Sequence, residues 1–238
     1  MMSLASRLRA SRLYLCTDAR ERQGDLADFL RAAFAGGVDI VQIRQKNMAR
    51  DAELAALEVA RSVAARSQVI VCVNDSPRLA KAFAADMLHL GQTDGSAKRG
   101  RRSLHDWALV GRSTHTPEQA DAAAADPDVS YFAVGPVHAT PTKPDYVPVG
   151  LDLVRHAAQL APVGDVAAKP WFAIGGLDAD NLDQVIEAGA RRVVVVRAIT
   201  EASDPEAAAR VLKDRLHQAW ADDPALASYA LRSAALDT

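Results

Sequence analysis

Short apolar runs alternate along this chain with longer, Ala-rich segments, and the two kinds differ in period. The short runs are apolar nearly throughout, the pattern of parallel strands covered on both faces. They fall at LYLCT (13–17), VDIVQIR (38–44), QVIVCVN (68–74), MLHLG (87–91), ALVGRS (108–113), YFAVGPV (131–137), WFAIGG (171–176) and RVVVVRA (192–198). The segments between and after them carry apolar residues at helical spacing. Helices are predicted over roughly 24–35, 49–66, 77–84, 100–106, 117–125, 149–160, 180–188 and 205–220.

Local signals support these boundaries. Ser76-Pro77, Thr116-Pro117 and Asp204-Pro205 each put a capping side chain before a proline at the first helical position. AGGVDI (35–40) and AGARRV (188–193) put glycine just before a strand, where a left-handed helix end is expected. Eight such units in about 215 residues fit a single-domain α/β fold, the (β/α)8 TIM barrel, over 11–220. The rival, a doubly wound open sheet, lacks the GxGxxG expected after the first strand. Residues 221–238 are a C-terminal extension to which no role is assigned.

Composition narrows the function. A formal charge of −2 gives no basic stripe for nucleic acid, and 5% aromatics offers few platforms for stacking single-stranded bases. No apolar run is long enough to cross a membrane. The start, MMSLASRLRASRLYL, has arginines but no apolar core of signal-peptide length. Its lack of acids is a slight transit-peptide trait, and the favoured expectation is a cytoplasmic chain. Cys16 and Cys72 sit in apolar runs with no CxxC spacing, so both read as small core residues.

In a barrel, chemistry gathers where strands end and βα loops begin. Gln42, Arg44 and Lys46 alternate along QIRQK, which turns all three to one side as a clamp for an anion with several oxygens. Asp75 and Asp94 end neighbouring strands and could share a magnesium ion, which takes one or two carboxylates and leaves room for substrate phosphates. Asp75 reads equally well as a cap for the helix at Pro77, and Asp94-Gly95 as a turn. Gly175-Gly176 and Val196-Arg197 end the last two strands, the frequent phosphate site of this fold. The loop GPVHATPTKPD adds Thr140, Thr142 and Lys143, stiffened by Pro136, Pro141 and Pro144. The prediction is two anion sites on one face, one metal-assisted and suited to a diphosphate, the other backbone-built and suited to a monophosphate.

The motifs QIRQK, CVND, HLGQTD, GRSTH, GPVHATPTK, FAIGG and VVVRAI, in this order over about residues 11–216, resemble the thiamine phosphate synthase family. The resemblance implies a magnesium-dependent (Mg2+) transferase of thiamine biosynthesis. It would join an aminopyrimidine-methyl diphosphate to a thiazole-ethyl phosphate and release pyrophosphate by a dissociative route. It implies that Gln42, Arg44 and Lys46 clamp the pyrimidine diphosphate with Asn74 nearby, and that Asp75 and Asp94 hold the metal. Ser113 would stand by the pyrimidine and its leaving group. Thr140 and Thr142 would hold the thiazole phosphate with Gly176 and the backbone at Val196 and Arg197, and Lys143 would contact the diphosphate. Arg197 departs from the small hydroxyl residue of some members, which leaves its side-chain role open. Two other readings are weighed: a thiazole tautomerase using His115 as proton shuttle, and a non-catalytic barrel that binds phosphate ligands. The partners expected are small molecules, and a homo-oligomer is left open.

Overall fold

All eight strands form, most of them shorter than their apolar runs: β1 Leu13–Thr17, β2 Ile40–Ile43, β3 Ile70–Asn74, β4 Met87–Leu90, β5 Leu109–Thr114, β6 Tyr131–Val134, β7 Trp171–Ile174 and β8 Val193–Val195. Each pairs in parallel with its sequence neighbours, and β8 closes on β1 to complete the barrel. The computed structural model describes residues 2–140, 147–229 and 232. Its helices are α1 Leu4–Ala10, α2 Leu26–Ala35, α3 Arg50–Ala64, α4 Pro77–Phe83 and α5 Ala97–Arg101. There follow α6 Pro117–Ala125, α7 Gly150–Leu160, α8 Leu182–Glu187, α9 Arg197–Thr200 and α10 Pro205–Ala221, with a 3-10 turn at Pro224–Leu226.

The predicted caps operate. Ser76, Thr116 and Asp204 accept from the backbone N–H of Leu79, Gln119 and Ala207, and Gly37 and Gly189 take positive φ at helix ends. Three local expectations need correction. The fifth helix covers Ala97–Arg101 rather than 100–106, because Ser96 caps it earlier. The eighth strand stops at Val195. β1 runs on to Thr17 beside it, but the Val196 backbone leaves the extended region (φ −126°, ψ −89°) and Arg197 opens α9 instead of ending a strand. Helix α1 was not anticipated; its Leu8 packs up into the barrel from below.

The barrel interior is graded. Low down it is apolar, with Ile40, Ile70, Met87 and Leu109. In the middle, Tyr14, Tyr131 and Phe172 meet with ring centroids 5.6–6.4 Å apart, a spacing that favours edge-to-face contacts. The Tyr131 ring occupies the space beside Gly111, where a Cβ would come within 2.1 Å of it. Near the C-terminal ends of the strands the inward positions become polar.

The N-terminal end is sealed by a buried cation. Arg192, 1% exposed, donates to the Arg9 carbonyl (2.9 Å) and the Tyr229 hydroxyl (3.2 Å). Its guanidinium lies 5.0 Å from the Trp220 ring, which Tyr229 meets edge-on at 5.4 Å. Tyr229→Ala removes an aromatic side chain and strands a buried donor. A loss of about 3 kcal/mol is expected, roughly 6–12 °C in Tm. Because this end faces away from the strand C-termini, kcat should hold; differential scanning calorimetry beside an activity assay checks both.

Among the described residues, no helix is long and apolar enough to cross a membrane.

Candidate active site

The polar inward positions open into a cavity of about 540 Å³ at the C-terminal end of the barrel. Gln42 leaves β2 inside the barrel, and Arg44 and Lys46 follow it along the same wall. The residue between them, Gln45, turns the other way, accepting from Ala19 N (3.0 Å) and pairing with Glu21. The alternation that predicted the clamp therefore persists past Ile43, where the strand itself ends.

Asn74, Asp75 and Asp94 line the adjoining wall. Ser76, not Asp75, caps α4, so the Asp75 carboxyl is not committed to the helix. Its backbone is in the left-handed region at φ 60°, an uncommon place for a residue with a side chain. Its N–H still donates to the His89 carbonyl at 2.8 Å, so the chain stays tied to β4 while the side chain swings toward Asp94. Asp94 is held from its own side by Gly91, whose N–H donates to Oδ2 at 2.7 Å. Burial first, then the hydrogen bond and charge of Asp94, push the Asp75 carboxyl up to about 6, while Asn74 and Arg44 pull it back.

Two carboxyl groups in contact beside a guanidinium fit a divalent cation, which would relieve their repulsion. Among the described residues no group of three or more His, Cys, Asp or Glu could hold a metal. A cation here would complete its shell with water and ligand oxygens, the habit of magnesium rather than of zinc.

The loop carrying Asp94 is fastened to β5. Gln92 donates to the Ser113 carbonyl (2.5 Å), and Arg112 to the carbonyls of Gly95 (2.5 Å) and Gln92 (3.3 Å). Across the cavity, the β6–α7 loop lies on β7. Val137 N donates to the Ile174 carbonyl (2.9 Å) and His138 N to that of Gly175 (3.0 Å). This contact is why the diglycine is needed. A Cβ on Gly175 would meet Pro136 at 2.4 Å, and one on Gly176 would meet His138 at 2.9 Å. Thr140, Gly176, Val196 and Arg197 all line the cavity. Thr142 and Lys143 lie outside the described residues.

Comparison with known proteins identifies the family. The family model described as thiamine monophosphate synthase matches residues 13–199. The thiamine-phosphate synthase of Thermobifida fusca is 55% identical over 214 residues, covering 90% of this chain and 96% of that one. That of Streptomyces avermitilis is 54% identical over 213 residues, covering 90% and 97%. The chain belongs to the thiamine monophosphate synthase family. The fold agrees: a thiamine phosphate pyrophosphorylase structure from Pyrococcus furiosus superposes with a TM-score of 0.77 at 24% identity, covering 91% of this chain and 99% of that one.

Gln42, Arg44, Lys46, Asn74, Asp75 and Asp94 meet in one cavity. So do Ser113, Thr140, Gly176, Val196 and Arg197, although Arg197 arrives at a helix start. His115 is there too, its Nδ1–H held by the Gly135 carbonyl. Sequence reasoning gave no role to His89, Gln92, Arg112 or Tyr131. His89 was within reach, since it alternates with Gly91 and must face inward with it. Tyr131 was not, because its partners lie on strands far away in sequence.

Proposed function

We propose that the chain condenses an aminopyrimidine-methyl diphosphate with a thiazole-ethyl phosphate to give thiamine phosphate and pyrophosphate. One observation carries this reading: a single cavity holds an acid–cation cluster beside β2–β4 and a separate glycine-and-threonine wall at β6–β8. A diphosphate suits the first and a monophosphate the second.

Arg44 and Lys46 neutralise the diphosphate, and Gln42 and Asn74 orient the pyrimidine end. Asp75 and Asp94 hold Mg2+, which when bound offsets charge building on the departing diphosphate. The bond between the pyrimidine methylene carbon and the diphosphate oxygen breaks first, and its electron pair leaves with pyrophosphate. The ring amine stabilises the resulting cation. The thiazole nitrogen then attacks with its lone pair and has no proton to shed, so the site needs positioning and charge stabilisation rather than a strong base. Ser113 donates to the leaving group, assisted by Lys143. Thr140, Thr142, Gly176 and the backbone at Val196 and Arg197 hold the thiazole phosphate. The catalytic unit is the barrel of 11–220, a cytoplasmic enzyme acting on small molecules. A tautomerase built on His115, or a barrel that only binds, leaves the clamp and the paired carboxylates without a task.

The test is pyrophosphate release. It should require both substrates and magnesium together; release with the pyrimidine diphosphate alone, or conversion of the thiazole alone, would refute the condensation.

A further inference from the structure

Gln42 and Ser113 stand on different walls of the cavity, yet buried side chains connect them. The Gln42 amide N–H donates to the Tyr14 hydroxyl at 2.7 Å, while the Cys16 thiol holds its carbonyl oxygen at 3.4 Å. The Tyr14 and Tyr131 hydroxyls are 3.4 Å apart. The Tyr131 hydroxyl is 2.8 Å from His89 Nδ1, and His89 Nε2 is 2.8 Å from Ser113 Oγ. Tyr14 and Tyr131 are 1% and 0% exposed, so their protons must be placed within the protein.

That requirement sets a direction. With Gln42 donating, the Tyr14 oxygen accepts, and the Tyr14 proton is shared between the Tyr131 hydroxyl at 3.4 Å and the Cys72 sulfur. The Tyr131 proton has three acceptors in range: His89 Nδ1 at 2.8 Å, Tyr14 at 3.4 Å and the Cys72 sulfur at 4.0 Å. Only the first has good hydrogen-bond length. A neutral imidazole that accepts at Nδ1 carries its proton on Nε2, and that proton goes to Ser113 Oγ. The serine oxygen is then occupied as an acceptor on the protein side, and its own O–H is left for the cavity. The opposite tautomer would aim the Nδ1–H at the Tyr131 oxygen and leave the phenol proton with its two distant acceptors, a costly arrangement for a buried donor. Burial holds both tyrosines well above the ordinary phenol range, so they remain donors.

We propose that this buried relay is a positioning device: Tyr131 holds His89 as the Nε2–H tautomer, and His89 makes Ser113 a one-way donor into the cavity, aimed at the diphosphate as it departs. Tyr131 lies beneath the cavity floor and reaches Ser113 through His89. The aim at the diphosphate rests on the proposed function; the direction of the relay does not.

Nitrogen NMR of the isotope-labelled full chain, without substrates, reads the tautomer directly, with His89 assigned by the signal lost in His89→Asn. The expected spectrum has His89 protonated at Nε2 and bare at Nδ1, and Tyr131→Phe should mix or invert the two. In kinetics, Tyr131→Phe should lower kcat roughly tenfold and leave both KM values within about twofold. Placed in a Ser113→Ala background it should cost nothing more, because its effect passes through that hydroxyl. An Nδ1–H His89 in the wild type overturns the proposal, and so does an undiminished Tyr131→Phe penalty in the Ser113→Ala background. Should Tyr131→Phe not accumulate as folded protein, the wild-type spectrum decides alone. A chain with no synthase activity in any form would refute the proposed function and the aim at the diphosphate, while the spectrum would still report the relay's direction.

Discussion

Asp75→Asn is expected to cut turnover by at least about a hundredfold, the usual scale for losing one electrostatic stabiliser of a transition state, and to make the metal-free protein more stable near neutral pH. The two effects share one cause. Folding raises the Asp75 carboxyl from 3.8 to about 6, chiefly by burial and then by contact with Asp94. A raised acid favours folding only while protonated. Its contribution is fully present below the unfolded value near 4 and is lost as pH rises through 6. Above that, the metal-free wild type holds an ionised Asp75 against Asp94. Asparagine removes that charge and tolerates the left-handed backbone at φ 60°. Allowing for solvent screening of a half-buried group, the gain is about 1 kcal/mol, roughly 2–4 °C in Tm. Calorimetry in chelator should show no gain below about pH 4 and the full gain above about pH 6. Asp94→Ala should lose activity as well. Full activity in both variants would remove the metal-site assignment.

Gly175→Ala should do comparable damage by a different route. At φ 111° the backbone disfavours any side chain, and the new Cβ would sit 2.4 Å from Pro136 and 2.8 Å from the Val137 nitrogen. Neither neighbour can yield cheaply, because Val137 N is bonded to the Ile174 carbonyl of β7 and the Pro136 carbonyl accepts from Val149 N. A cost of about 3 kcal/mol or more is expected. The loop that moves also carries Thr140, so KM for the thiazole phosphate should rise roughly tenfold or more, with a smaller change for the pyrimidine diphosphate. Equal changes in both KM values would show that the glycine supports the barrel generally rather than this wall of the site. The diglycine therefore has a second use beyond bringing backbone near a phosphate. It lets one protein loop lie against the next strand.

How much of this was legible in the chain depended on the range of the interaction. The QIRQK clamp could be read because alternation is a property of five consecutive residues, and Gln45 turning away toward Glu21 confirms the period. The helix starts at Pro77, Pro117 and Pro205 could be read because each cap reaches only three residues. The over-extension of the eighth strand past Val195 has the opposite origin. RVVVVRA has a uniform local signal, and the strand stops where β7 has already turned away at Gly175 and the chain leaves the extended region at Val196 to open α9, although β1 runs on beside it. Asp75 was ambiguous between cap and ligand for a similar reason, since a window around it contains both Ser76 and the helix it might have served.

By itself, the sequence determined eight strand–helix units, their order, and the side chains that end each strand, because periodicity, caps and glycines act within a few residues. Tertiary structure decided how those ends meet. It set the left-handed turn that brings Asp75 to Asp94, the seat of the β6–α7 loop on the diglycine, and the chain of hydrogen bonds from Gln42 to Ser113 through Tyr14, Tyr131 and His89. Tyr14 and Tyr131 are 117 residues apart. Only closure of the barrel places their hydroxyls together, out of water, where each proton has to find a partner.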